Sequence, residues 1–139
     1  MSEKTQKAKE LHKAGFNCAQ AVACSFCEDL GVNAEDMFKI SEGFGFGMGV
    51  MDMCGAVSGM LMVIGMKNSV GDLSKGDSTK ADTYKKTRAY IEKFKEKTGS
   101  SHCNELKGKG GKTPLFSCIQ CIELATELTE EFLRNECKN

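Results

Sequence analysis

The chain has 139 residues, a length that suits one domain able to bury about two-thirds of the surface its unfolded form exposes. Nineteen basic and nineteen acidic side chains cancel, so no global field draws the protein to nucleic acid or to an anionic membrane. The start, Met1 to Glu10, is polar and of mixed charge, without the apolar region and cleavage site of a secretory signal, and predicts a cytoplasmic protein.

Taken in order, the periodic segments have helical spacing and none alternates strictly between turns, so the expected class is all-α, a single-domain bundle of about five or six helices over residues 1–139. A first helix runs from Glu3 to Ala14 and stops at Gly15; a second starts with Asn17 as its cap and continues to near Gly31, with Ala19, Val22, Ala23, Phe26 and Leu30 as its apolar stripe. A third covers Asn33 to about Ser41. The run from Gly43 to Gly49 alternates glycine with large apolar residues and reads as tightly packed irregular backbone. From Cys54 to about Lys67 the pattern is apolar nearly all round, as for a buried central helix, and Gly55, Ala56, Ser58 and Gly59 allow another backbone to approach. Val50 to Met66 is the most apolar stretch, but Asp52 and its glycines leave fewer than the ~18 clean residues of a membrane span.

After a loop from Gly71 to Gly76, an amphipathic helix spans about Lys80 to Thr98 with Tyr84, Ile91 and Phe94 inward, its lysines a solvated face. Gly99 to Lys112 is a polar connection carrying His102 and Cys103. Thr113-Pro114 then predicts a helix start, with Thr as cap and Pro at the first position, and a last helix to about Leu133 that buries Cys118, Ile122, Ala125, Leu128 and Phe132.

Four of the eight cysteines, Cys18, Cys54, Cys103 and Cys118, fall where helices begin or where a glycine-broken loop hands over to one. Helix N-termini present unpaired N–H groups and a partial positive charge that favour the thiolate, which is both the nucleophile and the metal ligand. In a reducing compartment this points to metal ligation or redox work rather than disulfide staples. Two Cys-x-x-Cys pairs also occur, Cys24 with Cys27 and Cys118 with Cys121, without the turn of a zinc knuckle or the preceding strand of a thioredoxin-like motif. On one continuous helix Cys18 and Cys27 lie half a circle apart and about 13 Å along the axis, and Cys24 points away from the apolar stripe as the most exposed thiol of its helix. Cys24, Cys27, Cys121 and Cys137 read singly as packing or tail residues. His102 beside Cys103 is a candidate ligand or activating base, whereas His12 reads as surface. The segment Gly108 to Thr113 fails the phosphate-loop spacing because Leu106 stands where its first glycine belongs, and the Gly43 to Gly49 run fails the dinucleotide fingerprint.

Asn17-Cys18-Ala19-Gln20-Ala21-Val22, the loop leading to Cys54-Gly55-Ala56-Val57-Ser58-Gly59, Cys103-Asn104-Glu105-Leu106-Lys107-Gly108, and Cys118 opening a last helix together resemble the redox-active protein family with the C_GCAxxG_C_C cysteine pattern, over about residues 8–133. The resemblance implies a small stand-alone protein whose redox role rests on Cys18, Cys54, Cys103 and Cys118, and supplies no substrate. Phe46 stands where another glycine is expected, and Cys24, Cys27, Cys121 and Cys137 are additions.

The leading expectation is that the four cysteines approach one another at one end of the bundle and either cycle between dithiol and disulfide or hold a redox metal centre, with Cys54 the most reactive thiolate and Gly55 and Gly59 leaving room for a partner or cofactor. The second is a non-enzymatic protein holding zinc or an iron–sulfur cluster on the same four thiolates, with His102 as an additional ligand. The third is a helical interaction module whose cysteines only pack. The expected partner is an electron donor or acceptor, with a homodimer left open and neither nucleic acid nor membrane insertion expected.

Overall fold

In the computed structural model, which describes residues 2–137, eight α-helices follow one another: α1 (Glu3–Lys13), α2 (Cys18–Cys24), α3 (Cys27–Leu30), α4 (Ala34–Ser41), α5 (Gly55–Asn68), α6 (Lys80–Thr98), α7 (Cys103–Lys107) and α8 (Cys118–Cys137). The class is all-α, and the helix number exceeds the expected five or six for two reasons. The predicted second helix is broken: the hydroxyl of Ser25 donates to the carbonyls of Ala21 (3.0 Å) and Val22 (2.8 Å), competing with the backbone ladder, and the chain restarts as α3. The connection after α6 contains a helix of its own, α7, closed by Gly108 at φ 73°.

The central element is α5, whose first six residues, Gly55 to Met60, are all buried. It packs against α2 on one side and α8 on another, with α1 and α6 lying along α8 and α4 covering α2. The core they share is built from Val22, Val57, Met60, Phe94, Ile122 and Phe132, each 0–1% exposed. A Cβ on Gly59 would stand 2.7 Å from the Ala19 carbonyl oxygen and 3.0 Å from Val22 Cβ, so the close approach that glycine permits here is made by α2. Among the described residues no helix is long and apolar enough to cross a membrane.

Two expectations about side chains are corrected by this packing. Tyr84 is exposed, because the inward face of α6 is set by Tyr90, Phe94 and Thr98, and Tyr84 lies roughly 80° round the helix from Phe94. Cys24 is buried rather than exposed. Met37 of α4, with Ala23 and Cys27, forms a second small apolar cluster over the face that the α2 stripe leaves open.

The start of α8 also moves. Thr113 to Ser117 are not helical; the amide of Leu115 donates to the Leu106 carbonyl (2.9 Å), holding the segment against α7. The helix begins at Cys118 with Ser117 as cap: its Oγ accepts from the Gln120 amide (3.1 Å), and the Gln120 side chain accepts from the Ser117 amide (2.9 Å). The side chain of Cys137 lies outside the described residues.

Candidate functional site

Each of the four motif cysteines stands at a helix start. Cys18, Cys103 and Cys118 are the first residues of α2, α7 and α8, and Cys54 is the cap of α5. Asn17 and Gln20 close α2 with two reciprocal 2.9 Å bonds, the same arrangement that Ser117 and Gln120 make at α8. The Asn17 side chain also donates to the Glu42 carbonyl (2.9 Å), which ties the cap of α2 to the glycine loop.

That loop brings the remaining two cysteines in. Phe46, Met48 and Met51 all adopt left-handed backbone (φ 53°, 62° and 60°), an uncommon conformation for non-glycine residues, and Gly45 and Gly47 on either side of Phe46 are the ones packed against protein. A Cβ on Gly47 would lie 2.4 Å from the Asp52 amide nitrogen and 2.9 Å from Cys103 Cβ; one on Gly45 would lie 2.2 Å from Asn17 Cγ. The large residues of the run, Phe44, Phe46 and Met48, are instead 37–50% exposed, so only Gly45 and Gly47 are tightly packed, while Gly43 and Gly49 have nothing near a Cβ position. Beyond the loop, Met53 bridges His102, the Cys54 amide donates to the Ser101 carbonyl (2.8 Å) and the Cys103 amide donates to the Asp52 carbonyl (2.6 Å). These bonds fasten the starts of α5 and α7 side by side.

The result is a cavity of about 190 Å³ whose wall includes Cys18, Cys54, Cys103 and Cys118, and a fifth cysteine, Cys121. Phe46, Leu106 and Phe116 supply apolar wall, and Lys107 and His12 the polar groups. The Lys107 ammonium lies 5.0 Å over the Phe46 ring. Gly55 is also on the wall, its Cβ position 3.1 Å from Cys18 Cβ.

The thiols are not equivalent. Cys18 and Cys118, both half-buried, are neighbours on the cavity wall, and each is the largest influence on the other's charge. The Cys18 thiol, assisted by the Lys107 ammonium against the cost of burial, pulls Cys118 down to about 5, while Cys118 and burial push Cys18 up. Cys54 and Cys121, 5% and 2% exposed, are a second pair of neighbours on that wall. The Cys121 thiol and then the Val57 and Ala56 amides at the start of α5 lower Cys54; Cys121 is pushed up. Cys103, raised by burial, has no such thiol partner among these. The sequence-based choice of Cys54 as the most reactive thiolate therefore meets a competitor: Cys118 is both the more open and the better stabilised as an anion.

The two histidines stand differently toward the cavity. His102 does not line the cavity; its half-exposed ring lies between the carboxylates of Asp52 (3.7 Å) and Glu105 (3.8 Å). His12 does line it, with Nδ1 2.9 Å from the Phe16 carbonyl oxygen. Since a carbonyl can only accept, Nδ1 is the donor in this bond. Cys24 and Cys27 sit apart in their own apolar cluster, both raised by burial, Cys24 to about 11.

Among the described residues no group of three or more His, Cys, Asp or Glu side chains stands in an arrangement that could hold a metal ion. The five cysteines of the cavity wall are Cys18 beside Cys118, Cys54 beside Cys121, and Cys103.

Helices that start at paired thiols around one small apolar cavity define a small helical protein with a thiol-lined site. The chain belongs to the family described as "Putative redox-active protein (C_GCAxxG_C_C)", whose profile matches residues 16–132. No curated protein and no solved structure matches it.

Proposed function

We propose that this protein is a dithiol/disulfide oxidoreductase in which Cys118 attacks a small disulfide and Cys18 resolves the intermediate. The observation that carries this reading is that Cys18 and Cys118, both half-buried and each the first residue of its helix, line one small cavity together with Lys107. The Cys118 thiolate attacks one sulfur of the substrate; the substrate S–S bond breaks, one half leaves as a thiol after taking a proton from water, and the other remains bonded to Cys118. The charge that held the proton on Cys18 is then gone. Cys18 loses that proton and attacks the Cys118 sulfur, forming the intramolecular disulfide and expelling the second half, which leaves as a thiol carrying that proton. The substrate gains two electrons and the protein loses two.

The wall residues support a small, largely apolar reacting group, since Phe46, Leu106 and Phe116 surround a space of about 190 Å³. The test is thiol release from hydroxyethyl disulfide by the reduced protein. Cys118→Ser is expected to abolish it, and Cys18→Ser to stop after one thiol with a mixed disulfide trapped on Cys118. Full activity in Cys118→Ser would overturn the assignment, and unchanged behaviour of both variants would favour a packing role for these cysteines.

A further inference from the structure

Cys121 is the cysteine on the cavity wall that the family pattern does not include, and its position follows from the geometry of α8. It lies three residues after Cys118, so the two side chains share one face of the helix, one turn apart. Where Cys118 meets Cys18 at the start of α2, Cys121 meets Cys54 at the start of α5. The helices α2 and α5 are locked together there, with Gly55 leaving room for Cys18 and Gly59 for Ala19. Two thiol pairs thus stand in adjacent layers, the outer one half-buried and the inner one 2–5% exposed.

We propose that Cys54 and Cys121 are a second dithiol couple that is oxidised only through the first, making the protein a carrier of four electrons. This rests on the reading of Cys18 and Cys118 as the outer couple. The inner pair is 2–5% exposed against the half-buried outer pair, so a disulfide entering the cavity meets Cys118 first and the outer disulfide forms beside the inner thiols. In the transfer, the Cys54 sulfur attacks the Cys18 sulfur of that disulfide; the Cys18 to Cys118 bond breaks and Cys118 leaves as a thiolate. Cys118 is the favoured leaving group because its thiolate is the most stabilised of the set. Cys121 then gives up its proton and attacks the Cys54 sulfur, forming the inner disulfide, and the departing Cys18 takes the proton. One disulfide has moved inward, no external oxidant is consumed in the move, and the outer dithiol is free to react again.

This separates the roles of the thiols on chemical grounds. A nucleophile stabilised by Cys121 and by the Ala56 and Val57 amides is held charged with little contact with solvent, which suits exchange within the protein rather than with a free substrate. Cys103, with no thiol partner in either pair, stays outside the scheme.

The experiment titrates the anaerobic reduced protein with hydroxyethyl disulfide, quenches in acid, alkylates the remaining thiols and maps the disulfides by mass spectrometry. The wild-type protein is expected to consume about two equivalents and to yield both Cys18 to Cys118 and Cys54 to Cys121; Cys121→Ala is expected to consume one and yield the outer disulfide alone. In Cys118→Ser the inner disulfide is expected to form at least tenfold more slowly. If the wild-type protein forms the outer disulfide and leaves Cys54 and Cys121 as thiols, the inner couple is refuted and the outer one stands. Formation of the inner disulfide in Cys118→Ser at the wild-type rate would refute the relay. Absence of the outer disulfide throughout would refute the reading on which both depend. The wild-type map requires no variant to fold.

Discussion

Cys18 and Cys118 stand on the wall of one cavity, and both residues occupy the first position of a helix closed by a reciprocal cap, Asn17 with Gln20 in one case and Ser117 with Gln120 in the other. Two helix starts therefore face each other across the cavity with a sulfur on each. The caps fix where the sulfurs stand, and the Lys107 ammonium decides which of them carries the charge.

The first consequence is a pH profile. With Cys118 lowered to about 5, its thiolate is fully present above pH 6 and is lost as pH falls through 5. Alkylation at Cys118, followed by mass spectrometry, is expected to be nearly flat from pH 8 to pH 6 and to fall to about half near pH 5. An ordinary thiol, with a pKa of about 8.5, would instead lose rate about tenfold per pH unit over that range.

Lys107 is the adjustable part of this arrangement. Lys107→Met removes the cation that assists Cys118 while keeping much of the side chain's apolar stem over Phe46. The midpoint of the alkylation profile is expected to move up, with the rate at pH 5 falling roughly fivefold for a loss of one pKa unit. An unmoved midpoint would assign the whole effect to Cys18.

Ser117→Ala tests the cap at α8. It leaves the Gln120 amide without its Oγ acceptor, an expected loss of about 0.5–2 kcal/mol in urea unfolding. Because Cys118 is the next residue, its alkylation rate is expected to change as well, whereas Asn33→Ala, at the cap of the remote α4, should lower stability and leave that rate alone.

Much of this was readable from local chemistry, and the failures were all of one kind. Asn17-x-x-Gln20, the glycine stops and the apolar run of α5 each declare themselves within a few residues, so α1, the start of α2, α4, α5 and α6 lie within a residue of where the sequence places them. Ser117-x-x-Gln120 carries the same signature as Asn17-x-x-Gln20, yet Thr113-Pro114 just before it offers a competing helix start that only the contact with Leu106 rules out. The burial of Cys24 depends on Met37 of α4, and the place of His12 depends on how α1 lies against the ends of α2 and α8; neither is encoded in its own helix stripe. Cys121 was legible as inward-facing. Its partner, Cys54, is far away in sequence, and only the close packing around Gly55 and Gly59 brings them together.

Gly59 carries that packing most directly. Gly59→Ala sets a methyl 2.7 Å from the Ala19 carbonyl oxygen, where backbone must move, and is expected to cost about 1–3 kcal/mol in chemical denaturation. Separation of α2 from α5 should also weaken the relation between the outer and inner thiols. Unchanged stability would mean that the two helices are less tightly apposed than described.

The central claim is that Cys18 and Cys118 are one redox couple, and the most direct measurement is its reduction potential by thiol quantification in glutathione redox buffers, with the sites assigned by mass spectrometry. A two-electron transition is predicted in which Cys18 and Cys118 titrate together, present in Cys24→Ser and in Cys121→Ala and lost in either Cys18→Ser or Cys118→Ser. A transition that survives in Cys118→Ser but disappears in Cys24→Ser would contradict it and move the redox chemistry to the Cys24 and Cys27 pair.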